Sequence, residues 1–179
     1  MRTILVTLAA AALIAPAAYA AQPSAVTPTP AQACKALKTT MGAQFASTYK
    51  SLGACVAQKS QQAATTAQNA AKQCKAELAM TEAAFTAAHG GKTFAQTYGV
   101  NMNNKNAYGK CVSARASAAA AQQLSAELSA AKKCKAMLTD ASFAASHGGK
   151  SFKEFFGTDK QKTNAFGRCV AQLAKAAAS

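Results

Sequence analysis

Two long stretches of the chain combine small apolar residues with an absence of helix breakers. Between Ala107 and Leu138 the only breaker is Gly109, close to the start. The apolar stripe predicted there consists of Val112, Ala121, Leu124, Leu128, Ala131 and Leu138. An earlier stretch, 56–73, has neither glycine nor proline and is predicted to continue as helix through Cys74. The apolar positions of that helix are Val56, Ala63, Ala67, Ala70 and Leu78. The pattern predicts two long helices. Because alanine-lined faces permit close approach, we favour antiparallel packing over an open string of separate units.

Capping residues divide much of the remaining chain into short helices. Helices are predicted over 82–88, 94–98 and 141–146, with a last helix ending near residue 178. The predicted N-cap residues are Thr81, Thr93, Asn106, Asp140 and either Thr163 or Asn164. Ser151 and Glu154 have the spacing of a capping box. The glycines predicted to end short helices are Gly90, Gly99 and Gly157.

The chain contains an internal repeat. Asn-Ala-Tyr-Gly-Lys-Cys-Val at 106–112 returns as Asn-Ala-Phe-Gly-Arg-Cys-Val at 164–170, and each copy ends a unit that starts with Cys-Lys-Ala. A shorter unit, 34–56, lacks the central His-Gly-Gly-Lys segment, as is common for a terminal repeat. The sequence therefore predicts an all-α, alanine-rich helical repeat of three disulfide-pinned modules joined by long helices. Its parts are a signal peptide (1–20), a Pro/Thr-rich linker (21–33), truncated module one (34–56), a connecting helix (57–73), module two (74–113), a connecting helix (114–133) and module three (134–179).

The first twenty residues have the features of a secretory signal peptide. Arg2 supplies the positive charge, 4–15 is an apolar run too short to span a bilayer comfortably, and 18–20 is a small-x-small cleavage site. We expect a mature chain that begins at Ala21, is secreted or held at the cell surface, and has no transmembrane segment after signal removal. A retained N-terminal anchor is the alternative.

Six cysteines in an exported chain indicate disulfides, especially since much of the hydrophobic content is alanine and the core is expected to be thin. The repeat favours one bond per module, each contributing about 3–4 kcal/mol. The pairs are Cys34–Cys55, Cys74–Cys111 and Cys134–Cys169. Free thiols and metal ligands remain as alternatives. The aromatic residues at repeated positions are predicted to form a small core within each module.

The run Gly-Val-Asn-Met-Asn-Asn-Lys-Asn-Ala-Tyr-Gly-Lys-Cys-Val-Ser at 99–113 resembles a motif of uncharacterised secreted actinobacterial repeat proteins, Gly-Thr-Asn-x-Asn-x-x-Asn-Ala-Phe-Gly-Lys-Cys-Val-Ser. The run at 157–170 is similar to it too, whereas the shorter unit keeps only Gly53-Ala-Cys-Val56. The resemblance implies export and modularity, and it implies no activity.

The sequence offers little catalytic chemistry. No Ser–His–Asp order repeats, the acids are mostly explained as helix-capping residues, and we expect neither an enzyme nor a cofactor. Cys-His-Cys metal sites around His89 and His147 are disfavoured by spacing and export. The His-Gly-Gly-Lys segments lack the preceding strand of a phosphate loop. A weaker hypothesis has an anion held by backbone amides and lysine at these turns; the possible anion-binding residues are Lys92, Lys150, Lys110 and Arg168.

The net charge of +14 points to anionic partners. No acid occurs between residues 21 and 76, where six lysines lie. We expect a non-catalytic binding or structural protein that contacts anionic polymers or another cell-envelope component, without specific nucleic-acid recognition. A protein–protein interaction module with a structural role is the alternative. A weakly membrane-active cationic protein is the third reading, disfavoured because alanine faces insert poorly.

Overall fold

The computed structural model describes residues 27–101 and 103–177. Over these residues it contains nine α-helices and no strand, so the all-α prediction is confirmed. The helices are α1 (Pro30–Met41), α2 (Gln44–Tyr49), α3 (Leu52–Leu78), α4 (Glu82–Ala88), α5 (Phe94–Tyr98), α6 (Ala107–Thr139), α7 (Phe143–Ser146), α8 (Phe152–Phe156) and α9 (Ala165–Ala177). The predicted signal peptide lies outside the described residues, as do residues 21–26 of the predicted linker.

The two long helices α3 and α6 pack antiparallel. Lys59, early in α3, contacts Glu127, late in α6. Ala71, late in α3, accepts a 3.2 Å hydrogen bond from the hydroxyl of Tyr108, in the first turn of α6. Small residues line the buried parts of both helices: Ala70, Ala130 and Ala131. The predicted packing is therefore confirmed, and alanine permits the close approach.

The predicted apolar stripes are only partly buried. Ala131 is fully buried, and Leu124 and Leu128 pack against the core. On α3, Ala70 is buried but Ala63 is exposed, and 53% of Leu78 remains accessible. Leu78 is the last residue of α3, where the chain turns away from the helix pair. The core thus lies toward one end of the long helices.

All six cysteines are paired as predicted. The bonds are Cys34–Cys55, Cys74–Cys111 and Cys134–Cys169, spanning 21, 37 and 35 residues. The first joins α1 to α3, the second joins α3 to α6, and the third joins α6 to α9. Since none of the cysteines is free, the thiol and metal-ligand alternatives fail.

One hydrophobic cluster combines residues of 34–56 with residues of 134–179. Leu37, Met41 and Phe45 belong to the same cluster as Phe143 and Phe166. Helix α1 packs on α3 and α6, and α2 packs on α9. The expectation of a separate small core in each module was therefore wrong for these two segments. The aromatic residues of 74–113 lie at the other end of the α3–α6 pair.

The short-helix caps are largely as predicted. Thr81 caps α4 through the amide of Ala84 at 3.3 Å, and Thr93 forms a capping box with Gln96. Ser151 and Glu154 form the predicted capping box. Gly90 has φ +64°, and Gly99 and Gly157 follow the last residues of α5 and α8.

Asp140 does not cap a helix that starts at residue 141. Its carboxylate accepts hydrogen bonds from the amide and the hydroxyl of Ser142, at 2.8 and 2.7 Å, and α7 begins only at Phe143. Hydrogen bonds from the Asp140 side chain to Ser142, two residues later, compete with the backbone hydrogen bonds that would start a helix at residue 141.

The linker prediction also needs correction at its end. Thr29 and Gln32 form a capping box, with Pro30 in the first turn, so α1 includes residues 30–33. A proline directly after a threonine is a helix-start signal. Among the described residues, no helix is at once long and apolar enough to cross a bilayer.

Candidate functional site

An ion pair is buried between the long helices. The ammonium of Lys59 lies 2.5 Å from both carboxylate oxygens of Glu127 and 2.9 Å from the side-chain oxygen of Gln62. The two charged side chains are 9% and 12% exposed. Two charges removed from water are tolerated only when they neutralise each other with good geometry. The pair therefore joins α3 to α6 at the end away from the Cys74–Cys111 bond.

Tyr49 completes the surroundings of this pair. It is buried at the end of α2, and burial raises the pKa of its phenol, with the Glu127 carboxylate adding to the effect. The phenol therefore stays neutral in the folded protein well beyond the pH at which an exposed tyrosine ionises.

A second polar cluster lies at the other end of the long helices. The guanidinium of Arg115 on α6 pairs with the carboxylate of Glu77 on α3. The hydroxyl of Tyr98 donates to the same carboxylate at 2.9 Å, and burial followed by this hydrogen bond raises the pKa of Tyr98. His89 Nε2 lies 4.0 Å from Glu77. These contacts join α5 and the α4–α5 turn to the long helices.

The matching positions of 134–179 are apolar. Glu77 is the third residue after Cys74, and Met137 is the third after Cys134. Leu173 corresponds to Arg115, four residues after the second cysteine of its segment, and Phe156 to Tyr98. Met137 and Leu173 pack against the main core. The two matched segments therefore differ in chemistry where their aromatic residues meet the long helices.

Both histidines are helix-end residues, as predicted. His89 follows α4 and its Nδ1 donates to the carbonyl of Phe85 at 2.9 Å; His147 follows α7 and donates to Phe143 at 2.8 Å. Each imidazole stacks on the preceding phenylalanine ring with centroids 3.8 Å apart. Within the described residues, no group of three His, Cys, Asp or Glu side chains is placed to hold a metal.

The turns that follow the histidines use their backbone amides internally. The amides of Gly91 and Gly149 donate to Thr86 and Ala144, each at 2.8 Å. Those of Lys92 and Lys150 point back to the histidine carbonyls at 3.4 and 3.3 Å. An anion at these turns would therefore depend on the lysine side chains. Lys92, Lys150, Lys110 and Arg168 are all exposed, and their role in anion binding stays a prediction.

Asn106 and Asn164 were expected to cap the last helix of each module. Asn106 directly precedes α6 but makes no side-chain cap bond; its amide oxygen accepts from the backbone of Val100 at 3.2 Å. Asn164 accepts from Thr158 at 3.0 Å. The expectation was wrong in its detail. Each asparagine closes the loop that leads back to the helix.

Four of the six acids lie at helix starts, as expected, and two do not. Glu77 and Glu127 lie inside the molecule in ion pairs with Arg115 and Lys59. Of the four others, Asp140, Glu154 and Asp159 accept hydrogen bonds from neighbouring turns, which lowers the pKa of each carboxyl.

A cleft of about 410 Å³ opens beside the second polar cluster. Its walls include Phe85, Phe94 and the exposed side chains of Leu78, Met80 and Tyr108, which are 53%, 41% and 40% accessible. Sequence reasoning did not find this cleft, and it placed Tyr108 in a core. The only signal available was that Tyr108 replaces a phenylalanine of the other copy.

No protein-family model, curated protein or solved structure matches the chain. Interpretation of the site therefore rests on its own residues.

Proposed function

We propose that the chain is an exported, non-catalytic protein that binds anionic polymers of the cell envelope through its lysine-rich surface. We further propose that it is a repeat of three disulfide-pinned helical modules, in which the first module is truncated. The repeated Asn-Ala-aromatic-Gly-basic-Cys-Val segments and the pairing of one disulfide per segment support that reading.

The distribution of charge carries the functional proposal. Nineteen basic residues lie between Lys35 and Lys175, and two of them, Lys59 and Arg115, are paired inside with two of the six acids. Seventeen basic residues and four acids remain for the surface. Internal pairing removes equal numbers of both signs, so the positive excess falls entirely on the outside, where it attracts polyanions.

The densest basic run is Lys132, Lys133 and Lys135 near the end of α6, all exposed. Helix α1, which packs on α6, adds the exposed Lys35 and Lys38 at the same end of the molecule. Disulfides hold these helices together, so the charges are presented by rigid elements. A fixed basic surface loses less conformational entropy on binding than a flexible basic tail.

Titration of the oxidised, full-length mature protein with poly-L-glutamate and with long-chain polyphosphate tests the proposal. Binding is expected in 50 mM NaCl and should weaken by roughly tenfold or more in 200 mM NaCl, because released counterions oppose association at higher salt. No binding at low salt, or binding that salt does not affect, would refute it.

Two matched variants separate a localised patch from net charge alone. The triple substitution Lys132→Gln, Lys133→Gln and Lys135→Gln should weaken binding more than the control triple. The control removes three exposed lysines from the opposite end and consists of Lys72→Gln, Lys75→Gln and Lys105→Gln. Equal losses would show that only total charge matters.

The third reading, membrane activity, is tested by dye release from anionic vesicles. We expect none, since the exposed large apolar residues of the described chain do not form a stripe along a helix, and three of them line the cleft instead; they are Leu52, Leu78, Met80, Val100, Tyr108 and Phe155. The protein-binding alternative is favoured by a different observation, the uncovered helix face around Tyr108.

A further inference from the structure

The last helix of segment 134–179 has a face that another part of the chain covers. Phe166 and Val170 are only 2% and 4% exposed. A Cβ added at Gly167 would lie 3.2 Å from Cγ2 of Thr48, so α2 lies directly against this glycine. A side chain at this position would require Thr48 to move by a few tenths of an ångström, so glycine permits the close approach of α2.

Helix α2, which covers that face, is short and amphipathic. Phe45 and Tyr49, four positions apart, lie on one side with ring centroids 5.2 Å apart. Both are buried, at 4% and 8% exposure, in the cluster that contains Phe166. The face therefore takes a single helical turn that carries two aromatic residues.

The sequence-matched face of segment 74–113 is open. Tyr108 replaces Phe166 and is 40% exposed, and Val112 is only partly buried. A Cβ added at Gly109 would meet no heavy atom of the described chain within 4 Å. Glycine lowers helix stability relative to alanine, and nothing in the described chain requires it at 109. The same binding surface is thus present twice and covered once.

The surroundings of the open face are basic. Lys105 and Lys110 flank Tyr108 and Gly109 in the chain, and both are exposed. The hydroxyl of Tyr108 donates to Ala71 of α3, next to the exposed Lys72. A second copy that presented the same face would bring like charges together, which disfavours self-association. An occupant with acidic flanks complements the surface.

We infer that the Tyr108–Gly109–Val112 face is a docking surface for a partner protein. The partner presents a short amphipathic helix that has two aromatic residues four positions apart and acidic residues on both flanks. The helix lies across Gly109 as α2 lies across Gly167. The cleft lined by Leu78 and Met80 borders Tyr108 at the edge of this face. This inference is independent of polymer binding, because it depends on shape at Gly109.

The test uses the oxidised full-length protein and a labelled, helix-stapled peptide. The peptide carries the Phe-Ala-Ser-Thr-Tyr sequence of α2 between glutamate-rich turns. Fluorescence anisotropy should show saturable binding. Gly109→Gln should weaken it at least tenfold, since the added side chain covers the glycine surface. Because the space is open and the position helical, this variant keeps the fold, which circular dichroism verifies.

Controls separate shape from charge. Lys160→Gln, an exposed change in the loop that precedes α9 in the other segment, should alter the affinity by less than twofold. A peptide with both aromatic residues replaced by alanine, at unchanged charge, should bind at least tenfold more weakly. The inference is overturned if the alanine peptide binds as well, or if Gly109→Gln has no effect. It is also overturned if sedimentation shows a dimer that Gly109→Gln dissolves, because the occupant is then a second copy.

Failure of this test leaves polymer binding intact. Gly109→Gln does not change the net charge, so its affinity for polyphosphate should equal that of the unchanged protein. A variant that lost both properties would indicate a folding defect, and its circular dichroism would reveal it.

Discussion

Removal of the Lys59 charge should destabilise the protein more than removal of any exposed lysine. In Lys59→Met the carboxylate of Glu127 stays inside while both of its oxygens lose the ammonium at 2.5 Å. A methionine of similar length keeps the packing, so the effect reports the lost charge partner. Breaking a buried pair in this way costs about 3–5 kcal/mol.

The reverse substitution should cost less. In Glu127→Leu the ammonium of Lys59 keeps its 2.9 Å bond to the oxygen of Gln62, and its flexible chain can turn toward water. The double variant Lys59→Met with Glu127→Leu leaves no buried charge. It should recover most of the stability, since a well-packed apolar pair is often as stable as the ion pair it replaces.

Urea unfolding followed by circular dichroism, with the disulfides intact, measures these free energies as a double-mutant cycle. For Lys59→Met we expect a melting temperature lower by roughly 10 °C. Lys72→Met, on the same helix but exposed, is the matched control and should cost less than about 0.5 kcal/mol. Equal costs for the two lysine variants would mean that water reaches the pair, and the reasoning would fail.

Three further predictions concern glycine, alkaline pH and the disulfides. Gly109→Ala should raise the free energy of unfolding by about 0.5–1 kcal/mol. Gly167→Ala should raise it less or lower it, because the new methyl group lies 3.2 Å from Thr48. The midpoints of urea unfolding measure both changes, and equal gains would contradict the close contact. Because burial raises the pKa of Tyr49 above its ordinary value near 10, the folded state holds this proton more tightly. The associated stability is complete below about pH 10 and is lost as pH rises above it, so Tyr49→Phe should lose less stability than the unchanged protein between pH 9 and 11 in parallel melts. Replacing Cys34 and Cys55 by alanine should cost about 3 kcal/mol and replacing Cys74 and Cys111 about 4, following loop length, and a reversed order in urea unfolding would argue against that basis.

Helix existence and disulfide pairing were predictable because their signals are local or repeated. Thr81 and the Ser151–Glu154 box act within one turn of the helices that they start. Two copies of one segment each contain one cysteine near the start and one near the end, so the repeat favours one disulfide within each segment. The helix start at Thr29 is an equally local signal that was overlooked among neighbouring prolines.

The candidate sites were not predictable in the same way. Lys59 and Glu127 are 68 residues apart, and they are recognised as neighbours only when the Cys74–Cys111 bond is combined with antiparallel packing of α3 and α6. The different exposure of Tyr108 and Phe166 arises because α2 packs on only one of two similar faces. Asn106 is of a residue type that favours the N-cap position, but its side-chain oxygen accepts a hydrogen bond from the amide of Val100, six residues earlier, instead.

The order of the disulfides has a consequence for cleavage of the backbone. They link α1 to α3, α3 to α6 and α6 to α9, so a continuous covalent path passes through all the long helices without using any loop between them. A protease that cut one peptide bond in each of the loops 42–43, 89–93 and 157–164 would leave every fragment attached. The nicked protein should migrate as one species without reductant and separate into fragments when its disulfides are reduced. Cleavage of these loops therefore does not separate the helices while the disulfides are intact.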